Sequence, residues 1–234
     1  MFDTPILFLI FNRPDTTKQV FEKIREIQPT QLFISADGPR THKEGEIEMC
    51  KETREWVLHQ IDWDCNVTTR FQEQNLGCGK HVSGAITWFF EQVEEGIILE
   101  DDCVPDMSFF PYCAELLERY RDNEHVFVIG GNLFQNTIQI SSSYYFSAYA
   151  HIWGWATWRR AWKKYQFSLE TLSDTNFESC LKSYFSKSFE IDYWKSIFSI
   201  MKYSPLDTWD YQWLFTSWVN GGINIVPQKN LVTN

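Results

Sequence analysis

Over its first 130 residues the chain alternates short apolar runs with stretches whose apolar positions recur every three or four residues. Ile6 to Phe11 is continuously apolar, the pattern of a strand covered on both faces. Pro14-Asp15 opens a helix in which Val20, Phe21, Ile24 and Ile27 share one face. Leu32-Phe33-Ile34 is a second strand, ended by the turn residues Asp37-Gly38-Pro39. A polar helix from about Glu46 to Ile61 leads to a third strand, Val67 to Phe71. After the loop Gln74-Asn75-Leu76-Gly77-Cys78-Gly79 comes a helix carrying Val82, Ile86, Phe89 and Phe90. Ile97-Ile98-Leu99 and Val126 to Ile129 are the fourth and fifth strands, with a helix near Phe109 to Arg121 between them. Four β-then-α units in succession predict an α/β fold, a mainly parallel sheet flanked by helices with right-handed crossovers. From Tyr144 onward the alternation gives way to one strand-like segment among several Trp-rich helices. With no repeat, low-complexity tract or linker, residues 1–234 read as a single domain.

In such a sheet the ligand site lies beyond the carboxyl ends of the strands. The residues there are Asn12-Arg13, Asp37-Gly38, Asn75 to Lys80, Glu100-Asp101-Asp102 and Gly130-Gly131-Asn132, every segment rich in polar residues or glycine. That convergence says more than any single motif.

Composition then removes whole classes of function. Among 234 residues, 21 Lys and Arg face 31 Asp and Glu, a formal charge of −10 with no basic cluster to serve nucleic acid. At 44% hydrophobic and 22% charged the chain is globular rather than disordered. The apolar run at Ile6 is too short to span a bilayer and has no basic stretch before it, so no signal peptide or transmembrane segment is read. Six scattered cysteines without a CxxC pair predict reduced thiols and a cytoplasmic protein, at most at the inner face of the membrane. The sequence closes on Ile223-Asn224-Ile225-Val226-Pro227, which reads as a strand, and Asn230 to Asn234, with no helix or polar tail after it, the look of a domain cut short.

Three consecutive carboxylates, Glu100-Asp101-Asp102, repel one another at a strand end. A hard cation, Mn²⁺ or Mg²⁺, relieves that repulsion with one or two carboxylates and completes its sphere with water and phosphate oxygens; a solvated acidic turn is the plainer alternative. The loop Asn75 to Lys80 is neither a Walker A sequence nor a dinucleotide fingerprint. It is either an ordinary turn or a helix N-terminus whose amides, around Gly77 and with Lys80 nearby, receive a diphosphate. Arg13 is suited to phosphate and Asp37 to a base or ribose, or each is a surface or turn residue. Asp210, in Trp209-Asp210-Tyr211-Gln212-Trp213, is either a general base among aromatic rings or, like Asp207, a helix cap. The 17% of aromatic residues includes Trp153-Gly154-Trp155-Ala156-Thr157-Trp158, where Trp155 packs on a sugar face or in the core.

Together these residues resemble nucleotide-sugar-dependent glycosyltransferases of the GT-A fold, Rossmann-like in its sheet, and in particular the N-acetylglucosaminyltransferase I group and its bacterial sugar-transferase relatives. Ile6 to Arg13 is similar to the family's opening strand and nucleotide-contacting Arg, and Ile34 to Gly38 to the segment whose Asp meets the uracil of UDP. Glu100-Asp101-Asp102, followed by Cys103-Val104-Pro105-Asp106, resembles an EDD form of the DxD metal motif. The resemblance implies Asp102 on Mn²⁺ or Mg²⁺, Glu100 and Asp101 toward sugar and ribose, Trp155 in the loop lining donor and acceptor, and Asp210 as the base. It also implies a nucleotide-sugar-binding half, 1–132, and an acceptor-side half, 133–234. The activity so implied is inverting transfer from a nucleotide-sugar donor, UDP-linked, to a saccharide acceptor, in surface polysaccharide synthesis. Alternatives are a sugar-phosphate nucleotidyltransferase, disfavoured because Asn12-Arg13-Pro14-Asp15 lacks the glycines of its phosphate loop, and a non-catalytic carbohydrate-binding module.

Overall fold

The computed structural model describes residues 1–134, 141–204 and 206–234. Strand β1 (Ile6–Ile10) is buried along its whole length and runs parallel to both β2 (Gln31–Ala36) and β4 (Glu95–Glu100). Helix α1 (Pro14–Ile27), with proline in its first turn, turns Thr17, Val20, Phe21 and Ile24 inward. Helix α2 (Glu46–His59), β3 (Asn66–Phe71) and α3 (Cys78–Phe90) follow, and β3 extends the parallel sheet beyond β2. The short β5 (Val104–Pro105) and α4 (Phe109–Arg119) precede β6 (Val126–Gly130). All five expected strands and the four helices between them are present, with their ends shifted by at most two residues.

The second half differs from the sequence expectation. It contributes three strands to the same sheet, β7 (Tyr144–Ser147), β8 (Trp155–Trp158) and β9 (Ile223–Pro227). The eight-stranded order is β3-β2-β1-β4-β8-β6-β9-β7, parallel except for β8 and β7. The Trp-rich run is therefore a strand between β4 and β6, antiparallel to both. Its side chains alternate between two buried faces, which is why tryptophan can recur at every third position without helical periodicity. Trp155 stacks on Trp209 at 5.6 Å on one face, while on the other the Trp158 indole N–H donates to the Leu117 carbonyl at 3.1 Å.

Four helices complete the second half: α5 (Arg159–Trp162), α6 (Asp174–Tyr184), α7 (Ser188–Tyr203) and α8 (Asp210–Val219). One core cluster fills each face of the sheet, and a third, around Phe177, Phe198, Phe215 and Trp218, joins α6, α7 and α8. The terminal pair β10 (Val232–Thr233) is antiparallel to β5, so the last residues lie beside the acidic turn that follows β4. Among the described residues no helix is long and apolar enough to cross a membrane.

Candidate functional site

The carboxyl ends of β1, β2 and β4 open into a cleft of about 290 Å³ that reaches from Glu100 and Asp101, past Arg13, to Asp37, Arg40 and His81. This is the edge at which an α/β sheet holds ligands, and the volume lies at the lower end for small-molecule sites. Most of the residues expected at the site meet here: Arg13, Asp37, Asn75, Gly77, Glu100 and Asp101 line the cleft, and Asp102 is joined to it through Arg13.

The acidic turn is locked by one cation. Arg13 pairs with Asp101 and, at 2.8 Å, with the Oδ2 of Asp102. Asp101 is buried, and its other oxygen accepts the Phe11 amide at 3.2 Å. It thus fastens β4 to β1 and has no oxygen left over. Asp102 keeps Oδ1, to which, among the described residues, the Cys103 thiol alone donates, at 3.6 Å. Among the described residues none hydrogen-bonds the Glu100 carboxyl; burial, and then the charges of Asp102 and Asp101, push it up to about 8. Among the described residues no three His, Cys, Asp or Glu side chains converge on one point. The donor set is instead one or two hard oxygens, which suits Mg²⁺ or Mn²⁺ completed by water and phosphate and does not suit a closed protein cage.

The loop before α3 differs from a phosphate cradle. Four consecutive amides are taken by two carboxylates: Leu76 and Gly77 donate to Asp37 at 2.9 and 3.1 Å, Cys78 and Gly79 to Asp207 at 3.1 and 2.9 Å. Asp37 also accepts from the Gly38 amide at 2.8 Å and the Asn75 side chain at 3.0 Å, which fills the acceptor positions of a carboxylate. Asp37, Asn75 and Gly77 therefore shape the cleft, and their polar groups are already engaged. Lys80 is exposed and lies outside the cleft, in a shallow depression on another side of α3 with Arg70 and Trp88.

Trp155 is fully buried, with Trp209, Trp162 and Trp213 around it, so its ring is not a sugar platform. Trp153, 37% exposed, is the ring that faces solvent. It precedes β8 at the edge where β4 ends, since Trp155 pairs with Ile98, and it packs on Phe134 at 5.0 Å. Asp210 begins α8; Thr208 donates its hydroxyl to one of its oxygens, and its charge bears on both Glu100 and Cys78.

Three residues escaped the sequence reading. His81 is buried in the cleft wall with neither ring nitrogen hydrogen-bonded. Burial, with Arg70 and Arg54 nearby, lowers it to about 4, so the ring is neutral and offers one donor and one acceptor. Its Nδ1 lies 3.7 Å from the Asp37 carboxylate, and a buried polar group without a hydrogen bond costs about 1–3 kcal/mol. The five histidines lie apart in the sequence with no ligand spacing, so nothing there singled His81 out. Glu46 ties the first two strand ends together, accepting from the Asn12 side chain at 2.9 Å and the Arg40 amide at 2.7 Å. Asp207 is the third in its role only: read from the sequence as a cap for the helix it precedes, it instead accepts the first amides of α3. Asn132, after β6, is also buried with its amide unpaired.

No protein-family model matches this chain, and no curated protein matches it. Among solved structures it is similar to HddC from Yersinia pseudotuberculosis, at 10% identity over 72% of this chain and 84% of that one with a TM-score of 0.43. It is similar to S. aureus TarS 1-349 at 8% identity, over 97% and 59% of the two chains with a TM-score of 0.44. A UDP-glucose pyrophosphorylase complexed with UDP-glucose is 9% identical over 99% and 92%, TM-score 0.45. These likenesses are too distant to carry a residue or an activity across.

Proposed function

We propose that the chain is a metal-dependent inverting glycosyltransferase that moves a sugar from a UDP-type donor to a hydroxyl of a saccharide acceptor. The observation that carries the reading is the cleft itself: at the carboxyl edge of the sheet it places an acidic turn at one end and a buried histidine, its Nδ1 3.7 Å from Asp37, at the other. An acidic turn calls for a cation and an anionic ligand; the imidazole suits the polar edge of a base.

Asp102, through its oxygen outside the Arg13 pair, and Glu100 would hold Mn²⁺ or Mg²⁺, which supplies neutralisation of the charge developing on the leaving diphosphate. Arg13, next to the acidic turn, and Arg40, toward Asp37, add fixed positive charge along the cleft. His81 meets the nucleobase, while Asp37 and Asn75 keep the loop before α3 in shape around it. Asp210 retains one oxygen free of the Thr208 hydroxyl and takes the proton of the acceptor hydroxyl. The acceptor oxygen so deprotonated bonds to the anomeric carbon from the face opposite the diphosphate as the bond to the diphosphate breaks, which inverts the configuration. Trp153 offers a ring face to the acceptor.

The test is turnover of UDP-sugars with Mn²⁺, read as UDP release and product configuration. Asp210→Asn is expected to slow release far more than it weakens UDP binding. Consumption of a nucleoside triphosphate with release of pyrophosphate, in place of UDP release, replaces this reading with nucleotidyl transfer.

A further inference from the structure

Two distant stretches of chain meet at the start of α3. The carboxylate of Asp207, in the loop between α7 and α8, accepts the Cys78 amide at 3.1 Å and the Gly79 amide at 2.9 Å. A carboxylate at a helix N-terminus satisfies orphan amides and meets the positive end of the helix dipole. The local sequence is fitted to this contact. Gly77 has φ +82°, and a Cβ there would collide with the Asp207 carboxylate; a Cβ on Gly79 would stand 2.8 Å from the Thr208 carbonyl oxygen. Both glycines lie where the loop makes its closest approach, which explains them without a bound phosphate.

The next residues carry the contact forward. Thr208 donates its hydroxyl to Asp210, the Trp209 carbonyl accepts from the Tyr165 hydroxyl at 3.2 Å, and the Trp209 ring stacks on Trp155. Asp210 then opens α8. The loop that leads into Asp210 is thus anchored on one side by Trp209 in a buried aromatic cluster and on the other by the Asp207 carboxylate on the first amides of α3.

Resting on the reading of Asp210 as the base, we propose that Asp207 is a positioning residue: it pins the 207–209 loop to the start of α3 and so fixes where the Asp210 carboxylate stands at the cleft. A displacement of about 1 Å at a reacting group costs about 100-fold in rate, so the contact acts on turnover rather than on donor binding.

The experiment compares wild type, Asp207→Ala, Asp207→Asn and Asp210→Asn. UDP release is measured from whichever of UDP-glucose, UDP-galactose and UDP-N-acetylglucosamine wild type hydrolyses fastest, and UDP affinity is measured with Mn²⁺. Amide exchange across residues 76–82 and 206–214 reads the pinning directly and needs no turnover. For Asp207→Ala, kcat is expected to fall roughly 10- to 100-fold. UDP affinity should stay within about threefold, and exchange should rise in both segments and not in the central sheet. Asp207→Asn, whose side-chain oxygen still accepts an amide, is expected to recover part of the rate and also covers the case in which the alanine variant does not fold. Wild-type kcat or unchanged exchange in the Asp207 variants, with Asp210→Asn inactive, overturns the inference alone. Tighter UDP binding by Asp207→Ala at unchanged kcat also overturns it, because the carboxylate would then be standing in a phosphate's place. Full activity of Asp210→Asn overturns the base reading, and the inference with it.

Discussion

Replacing Trp155 by alanine separates a structural tryptophan from a ligand-binding one. The ring is fully buried, stacks on Trp209 at 5.6 Å and touches Trp162 and Trp213. Truncating such a side chain costs about 3–5 kcal/mol, from lost transfer free energy and the cavity left behind. A domain of this size is stable by only about 5–15 kcal/mol, and each kcal/mol moves the midpoint by about 2–4 °C, so the thermal transition should fall by about 6–20 °C. Trp153 provides the control: with 37% of it exposed and one face on Phe134, its truncation should cost below about 1 kcal/mol. Urea denaturation followed by far-UV circular dichroism measures both, and saccharide transfer measures what remains. The expected pattern is a double dissociation, Trp155→Ala losing stability and Trp153→Ala losing acceptor use. Wild-type stability in Trp155→Ala together with loss of donor or acceptor binding would refute the placement of that ring in the core.

Acidity at the cleft gives a second expectation. Because the Glu100 carboxyl sits at about 8 and a cation favours the carboxylate, Mg²⁺ affinity should rise between pH 6.5 and 8.5, by at most tenfold per unit, and level off above; Glu100→Gln should abolish the slope. Calorimetry in buffers of different ionisation enthalpy reads the released proton, and a pH-independent affinity in wild type counts against it. A third concerns Glu46, which Arg40 holds at about 2, below its ordinary 4.5. The depressed value means that its stabilisation is complete above pH 4.5 and is lost as pH falls toward 2, about 1–3 kcal/mol once the exposure of Arg40 is allowed for. Melts of Glu46→Gln between pH 2.5 and 6 should show a shallower acid dependence than wild type; parallel curves would contradict the assignment.

How much of this was legible depended on whether local pattern and tertiary role agreed. The parallel half was readable because β1, β2 and β4 are short apolar runs punctuated by Asp37-Gly38-Pro39 and by three acids, and each signal is local. The Trp155 strand was not, because its four residues, Trp155 to Trp158, are too few to show a period. The acidic turn was found from charge alone. That Asp101 is an internal fastener while Asp102 keeps an oxygen depends on Arg13, 88 residues before Asp101, and no spacing rule connects them. The loop before α3 was located correctly and its chemistry inverted: two carboxylates, from Asp37 and Asp207, hold the amides that a phosphate would need. His81 carried no signal, because the five histidines lie apart in the sequence and only the fold sets this one beside Asp37 in the cleft wall.

The central claim, that the cleft takes a nucleoside diphosphate through a cation at the acidic turn, is tested most directly by titrating the protein with UDP in the presence and absence of Mn²⁺, alongside Asp102→Ala. The account requires binding that depends on Mn²⁺ and falls at least tenfold in the variant. Equal UDP affinity with and without the metal, or an Asp102→Ala protein that binds UDP and Mn²⁺ as wild type does, would contradict it.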